Sequence, residues 1–283
     1  MTEEKYTEEE LLKGMQTLQL EMLTDLKRVC DKHNIKFYLA FGTCLGAVRH
    51  KGFIPWDDDI DVIMYDEDIK KLCKYENELN PKFSIQCHKK DKEFGLLIYR
   101  IRNEETTLIE QDHIDRDINH GVYIDIYPLL DYKTGKWAHI FQTISSLICR
   151  LFVYRKPPVN KSKAFKVLAN IMLAITPDVL KEKIALNIYE RLVKTTKSTH
   201  LTVIPGYAEP NYYRKECFGE PAYAEFEGLT MPVPTLADEF LSDRYGEYMK
   251  LPPKEMQKIH HNYVFADFKN SYKKYKGKYY CKF

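Results

Sequence analysis

The sequence predicts a mixed α/β chain of the α+β kind, and three observations carry that expectation. Thr7 with Glu10 three residues on forms a capping box, and Leu11, Met15, Leu18, Met22, Leu26 and Val29 then recur at helical spacing up to a stop at Asn34. The stretch Gly121 to Pro128 alternates strictly: Val122, Ile124 and Ile126 form one apolar face, Tyr123, Asp125 and Tyr127 the other, and Pro128 ends the strand. Asp59-Ile60-Asp61-Val62-Ile63 reads as the start of another strand, because β-branched residues follow the acids.

Between the first helix and the acidic strand, residues 35–41 read as the first core strand, delivering Gly42 and Thr43 at its end, near the start of a short helix. Arg49, His50 and Lys51 follow that helix. Pro55-Trp56 sets the approach to the acidic strand, with Trp56 alternatively a packed core residue. Residues 94–101 read as a further strand. Arg100 and Arg102 share a face at its end, either reaching a substrate phosphate or pairing with surface acids. From Trp137 to Tyr154 a wide apolar stripe at i, i+3, i+4, i+7 spacing predicts a helix. Polar residues interrupt it, so it does not read as a membrane span. Arg155, Lys156, Lys161, Lys163 and Lys166 cluster behind it. A second apolar helix carries Phe165, Leu168, Ile171, Met172 and Ile175, and Thr176-Pro177 starts a third. The stripe reads either as core or as a helix lying on an anionic membrane surface. After Leu201 the chain is irregular and aromatic, through Tyr207, Tyr212, Tyr213 and Phe218. A hairpin follows at 222–226 and 229–233 around Glu227-Gly228, then a helix at 236–245 whose acids face solvent. His260-His261 are adjacent and point apart on a helix, which argues against joint metal binding. The tail from Tyr272 to Tyr280 is basic and aromatic and reads as a solvated end, or as a contact for membrane or anionic glycan.

Composition narrows the function. The 283 residues suggest one large domain or a core with an appended lobe, and 44% apolar residues suffice for a sizeable core. A net charge of +2 leaves no nucleic-acid signature. Seven scattered cysteines without a C-x-x-C predict neither a disulfide framework nor a zinc site, and suggest a reducing cytosol. The acidic start MTEEKYTEEE is not a signal peptide, so a cytoplasmic location is expected.

Alternation along a strand puts Asp59 and Asp61 on one face and points Ile60 and Val62 into the core. Two like charges so placed repel unless a cation sits between them, and Mg²⁺ is the usual partner of such carboxylates and substrate phosphates. A solvated acidic loop is the bland reading. A calcium loop starting at Asp57 is set aside, because Val62 and Asp68 stand where Gly and Glu are needed. Asp125 is out of place in an apolar strand unless a metal, a proton-acceptor role or a backbone hydrogen bond awaits it. Gly42 lets a backbone approach phosphate, Thr43 offers donors near a helix start, and Arg49 and Lys51 add positive charge.

Gly42-Thr43 after a strand, then Asp59-x-Asp61, then a third carboxylate on a later strand, resembles the nucleotidyltransferase superfamily. The longer string GTCLGAVRHKGFIPWDDDID followed by GVYIDIYPL resembles the LicD family, which includes bacterial phosphocholine transferases and fukutin-related enzymes. FEGLTMPVP, Tyr245-Gly246 and the LPP at 251–253 extend the resemblance over roughly residues 20 to 270. Cys44 stands where an aliphatic residue is commoner, and the clustered cysteines of the animal relatives' zinc site are missing. The resemblance implies a nucleotidyltransferase-type mixed-sheet core at 1–135, a helical insertion at 136–200 and a C-terminal segment at 201–283 completing the site. It implies transfer of an alcohol phosphate from a CDP-alcohol donor to a sugar hydroxyl of a glycan or lipid-linked glycan. Asp59, Asp61 and Asp125 would be both catalytic and ligands of Mg²⁺ or Mn²⁺, and Gly42, Thr43, Arg49 and Lys51 would hold the donor phosphates. Two alternatives stay open: transfer of a nucleotide from a triphosphate with pyrophosphate release, and an inactive glycan-assembly factor.

Overall fold

Thr7 caps the first helix, α1 (Glu8–His33), by the expected reciprocal bonds with Glu10, and Asn34 ends it in the left-handed conformation. The computed structural model describes residues 6–157, 162–203, 212–259 and 261–282. In chain order there follow β1 (Tyr38–Leu39), α2 (Phe41–His50), β2 (Asp61–Met64), α3 (Asp66–Lys74), β3 (Phe83–Cys87), β4 (Tyr99–Asn103), β5 (Thr107–Glu110), β6 (Tyr123–Pro128) and β7 (Leu130–Tyr132). Three helices come next, α4 (Lys136–Tyr154), α5 (Lys163–Ile175) and α6 (Asp178–Leu192). The chain closes with β8 (His200–Thr202), β9 (Tyr212–Arg214), β10 (Ala222–Phe226), β11 (Leu229–Val233), α7 (Ala237–Tyr245) and β12 (Tyr263–Asp267).

The central sheet is mixed, in the order β1-β2-β6-β4-β3. Only β2 and β6 are parallel neighbours in it, and that pairing puts Asp61 beside Asp125. On its other side Asp125 faces Arg100 of β4. Buried residues of α1, Met15, Met22, Leu23, Leu26 and Val29, join Val62, Ile63, Ile101, Ile124 and Ile126 in the main core. The β10–β11 hairpin turns at Glu227-Gly228 with both residues at positive φ and packs on α2 and β1. β12 pairs with β5, so the C-terminal segment is stitched into the first half of the chain. A further three-stranded sheet has the order β7-β8-β9, and helices α4 to α6 share a separate core around Cys149, Phe152, Ala185 and Tyr189. All seven cysteines are free.

Several expectations change. The first strand is two residues long. Phe41 takes φ +42, an uncommon value for a residue with a side chain, while Ala40 N–H donates to Asp61 O, and the chain turns into α2 early. Asp59 precedes β2 rather than lying in it. The strand expected at 94–101 forms at 99–103, after a turn at Gly95 with φ +67. Thr176 is not the N-cap of α6; Pro177 is. Arg100 and Arg102 are buried inside the sheet, not paired with surface acids. The tail is packed as well: Tyr275 and Tyr280 are buried, and Tyr279 stacks on Phe265 at 3.9 Å. Aromatic area outweighs the lysines between. Lys161, Tyr207 and His260 lie outside the described residues.

Candidate active site

The loop from Ile54 to Ile60 carries three consecutive aspartates, and other elements hold its backbone. Gln16 and Gln19 of α1 donate to the carbonyls of Asp57 and Asp58 at 2.9 and 3.0 Å, and Gln19 also reaches Tyr123 O at 3.3 Å. One amide thus ties the loop to β6. The Thr43 hydroxyl accepts the Asp61 N–H at 2.9 Å, fixing where β2 begins relative to α2. A Cβ on Gly42 would lie 2.6 Å from Asp57 Oδ2 and would push that carboxylate aside.

The carboxylates differ in their partners. Asp58 is fully buried, and its Oδ2 accepts from His261 Nδ1 at 3.1 Å and from the Tyr263 hydroxyl at 2.8 Å. Asp125 is held by Arg100, whose Nε donates to Oδ1 at 2.7 Å. The same guanidinium donates to Glu110 at 2.6 Å and lies 3.6 Å from the Tyr123 ring centre. Asp61 is buried, and its Oδ1 has no hydrogen-bond partner among the described residues. Asp59, half-buried, has His261 Nε2 3.9 Å from its Oδ2. Carboxylate oxygens of Asp57, Asp58 and Asp59 come within 4.8 Å of one another.

Negative charge exceeds positive here, and the pKa values record it. Burial raises Asp61 well above the carboxylate range, and Asp59, Asp125 and Asp57 push it further. Asp57 is raised likewise, by burial first and then by Asp59 and Asp58. Asp59 stands at about 6: burial raises it, His261 opposes, and Asp58 and Asp125 add to the rise. His261 is raised to about 9, chiefly by its hydrogen bond to Asp58. A buried carboxylate oxygen without a donor beside several strained carboxylates is an environment that a divalent cation with oxygen ligands relieves.

The structure therefore brings Gly42, Thr43, Asp59, Asp61 and Asp125 together. It does not bring Arg49 and Lys51 to them. They lie at the far end of α2, about 10 Å (Arg49) and about 13 Å (Lys51) along the axis from Gly42 at 1.5 Å per residue. Arg49 donates to the carbonyls of Tyr248 and Lys250, and Lys51 is exposed, 3.6 Å from Glu225. Other residues take places that sequence reasoning did not assign. Asp57 joins the cluster. Tyr127 shares the Asp125 face of β6, where burial and then Asp61, Asp125 and Asp59 raise its phenol. The Phe41 ring lies between Tyr127, centroids 5.4 Å apart, and the Arg244 guanidinium, 4.9 Å from its centre. Among the described residues Arg244 has no carboxylate partner. Tyr127 was legible from strand parity; Arg244 had no local signal.

Residues 34–145 match the family model described as LicD/FKTN/FKRP, nucleotidyltransferase domain. The chain is also 29% identical over 265 residues to the lipopolysaccharide cholinephosphotransferase LicD of Haemophilus influenzae, covering 88% of this chain and 96% of that protein. Residues 34–145 thus resemble the LicD nucleotidyltransferase domain, and most of the chain is similar to a LicD protein. An uncharacterized protein of Rickettsia prowazekii is 33% identical over 132 residues, 44% of this chain and 50% of that one. A second, from Rickettsia typhi, is 31% identical over 124 residues, 41% of this chain and 38% of that one. The matched LicD segment holds α2, the acidic loop, β2, β4 and β6, so every carboxylate of the cluster falls within it. Arg244 and His261 fall outside.

Proposed function

We propose that this LicD-like protein transfers phosphocholine, or a similar alcohol phosphate, from a CDP-activated donor to a sugar hydroxyl of lipopolysaccharide or a related glycan. The observation that carries the reading is the unpartnered Asp61 oxygen beside Asp125 at the parallel β2–β6 pair, in a chain similar over most of its length to a cholinephosphotransferase.

In the reaction the acceptor oxygen bonds to the phosphorus bearing choline, the bond from that phosphorus to the bridging oxygen breaks, and CMP leaves with the bond electrons. Positioning and charge neutralisation carry most of the work in such transfers. Asp59, Asp61 and Asp125 would hold a divalent metal, Mg²⁺ or Mn²⁺, with Asp57 beside them. When bound, that ion would supply positive charge to the diphosphate oxygens. Arg100 fixes Asp125 in place and bridges it to Glu110. Asp59 is the carboxylate most open to an incoming hydroxyl, and it would take the acceptor proton. The Gly42 and Thr43 N–H groups in the first turn of α2 would face the donor diphosphate, and Arg244 would bind it from α7. His261, charged through Asp58, keeps part of the acidic charge balanced before substrate arrives.

The experiment is direct. The protein is incubated with Mg²⁺, a lipopolysaccharide acceptor and either CDP-choline or CTP. Release of CMP with choline phosphate on the glycan, abolished by Asp61→Asn, is the expected outcome. Pyrophosphate from CTP, or no turnover with either donor, overturns the reading.

A further inference from the structure

The insertion exposes apolar surface that the transfer reaction does not use. Trp137 is 71% exposed, Phe141 68% and Ile175 73%, with Ile144, Val167, Leu168 and Ile171 also open to solvent. The stripe read from the sequence divides. Its C-terminal half, including Phe152, packs into the insertion core, and its N-terminal half does not. On α5 only Ala169 is fully buried, although the helix is almost wholly apolar. Single exposed hydrophobic residues need no explanation, but this many on two successive helices do.

Charge distinguishes what covers them. Between residues 136 and 175 the sequence has seven Lys and Arg and no Asp or Glu. Lys136, Lys163 and Lys166 have no carboxylate partner among the described residues. A second copy docked through this face about a two-fold axis would set these cations against their own equivalents. An anionic lipid surface takes both the apolar side chains and the cations. Among the described residues no helix is long and apolar enough to cross a bilayer, so such helices would lie along its surface.

We propose that α4 and α5 form a docking face for the anionic surface of a lipid bilayer, with Trp137, Phe141 and Ile171 entering the headgroup layer and Lys136, Lys163 and Lys166 meeting lipid phosphates. The face joins the sheet through β7, which begins two residues beyond β6 and leads into α4 four residues after it ends, so docking would hold the carboxylate cluster at a fixed distance from the membrane.

The test uses the full chain and two sets of vesicles, phosphatidylcholine alone and phosphatidylcholine with roughly one-third phosphatidylglycerol. The protein should sediment with the anionic vesicles at low salt and release as salt rises. Lys163→Gln with Lys166→Gln should weaken partitioning roughly thirty-fold. Phe141→Ser with Ile171→Ser should weaken it at least about tenfold while circular dichroism stays unchanged, because both positions are exposed. Bromolipid should quench tryptophan emission in the wild type and not in Trp137→Phe, where Trp56 remains as internal control. The proposal is overturned by wild-type protein that ignores anionic vesicles at low salt, or by quenching that survives Trp137→Phe. A dimer in light scattering that Phe141→Ser dissolves overturns it too, and gives the face to a second copy. No arm reads transfer activity, so failure here and failure of the transferase reading are separate results.

Discussion

Asp59→Asn tests the acidic cluster without touching any hydrogen bond that holds the loop. In the folded chain Asp59 titrates at about 6 against an ordinary 3.8. A carboxylate raised on folding binds its proton more tightly in the native state, so ionising it works against the fold. The penalty starts as pH passes about 4 and is complete above about 6. About two pH units at 1.36 kcal/mol each give about 3 kcal/mol. At about 2.1 cal/mol/K per residue, a chain of 283 residues unfolds with an entropy near 0.6 kcal/mol/K, so the penalty corresponds to about 5 °C in Tm. Asparagine keeps the shape and carries no charge. In EDTA at pH 7.5 the variant should therefore melt about 5 °C above wild type, and at pH 4 the two should coincide. A divalent ion at a hundredfold its Kd stabilises the wild type by about 2.7 kcal/mol and should bring the two melting temperatures close together at pH 7.5, because the variant lacks a ligand and gains less. Scanning calorimetry from pH 4 to 8, with and without Mg²⁺, reads all of this. A variant that melts at or below wild type in EDTA at pH 7.5, or an equal gain from Mg²⁺ in both proteins, refutes the reasoning.

Arg100→Met should destabilise the protein by about 3–5 kcal/mol in urea titration, since Asp125 and Glu110 would be left buried without their shared cation; a small change would mean water or His113 replaces it. Arg244→Ala should raise the donor KM at least about tenfold with Tm unchanged, and Arg244→Lys should recover part of it; unchanged KM in both removes Arg244 from the donor site. Imidazole NMR should find His261 titrating near 9 and, in Asp58→Asn, back toward 6.5. Because the folded pKa is raised, the stabilisation from this pair is full below about 6.5 and fades as pH climbs through about 9, so wild type and His261→Gln should differ most in acid and converge in base.

The sheet was legible where periodicity is strong. The alternation at 121–128 and the acids at 59 and 61 located β6 and β2, and Asp125 came with them. What the sequence did not carry is pairing. That Arg100 lies opposite Asp125 depends on the β4–β6 register, and register across distant strands leaves no local mark. The same holds for His261 against Asp58. Lys51 and Arg49 show the converse error: nearness in sequence to Gly42 suggested nearness in space, but a helix of ten residues separates its ends. The tail was misread because its four lysines suggest a solvated end, while its four tyrosines do the packing.

Gln19, on a helix that ends before the matched LicD segment begins, holds the acidic loop from one side; His261 and Tyr263, far beyond the segment's other end, hold it from the opposite side. The two flanks act as jaws on a spring-loaded strip of like charges. A fragment trimmed to residues 34–145 would inherit every carboxylate and neither jaw. Nothing would then oppose the splaying of Asp57, Asp58 and Asp59, and the strip would relax into an ordinary hydrated turn. For anyone shortening or grafting this protein, the smallest working unit is set by the grip on the loop and runs nearly the length of the chain.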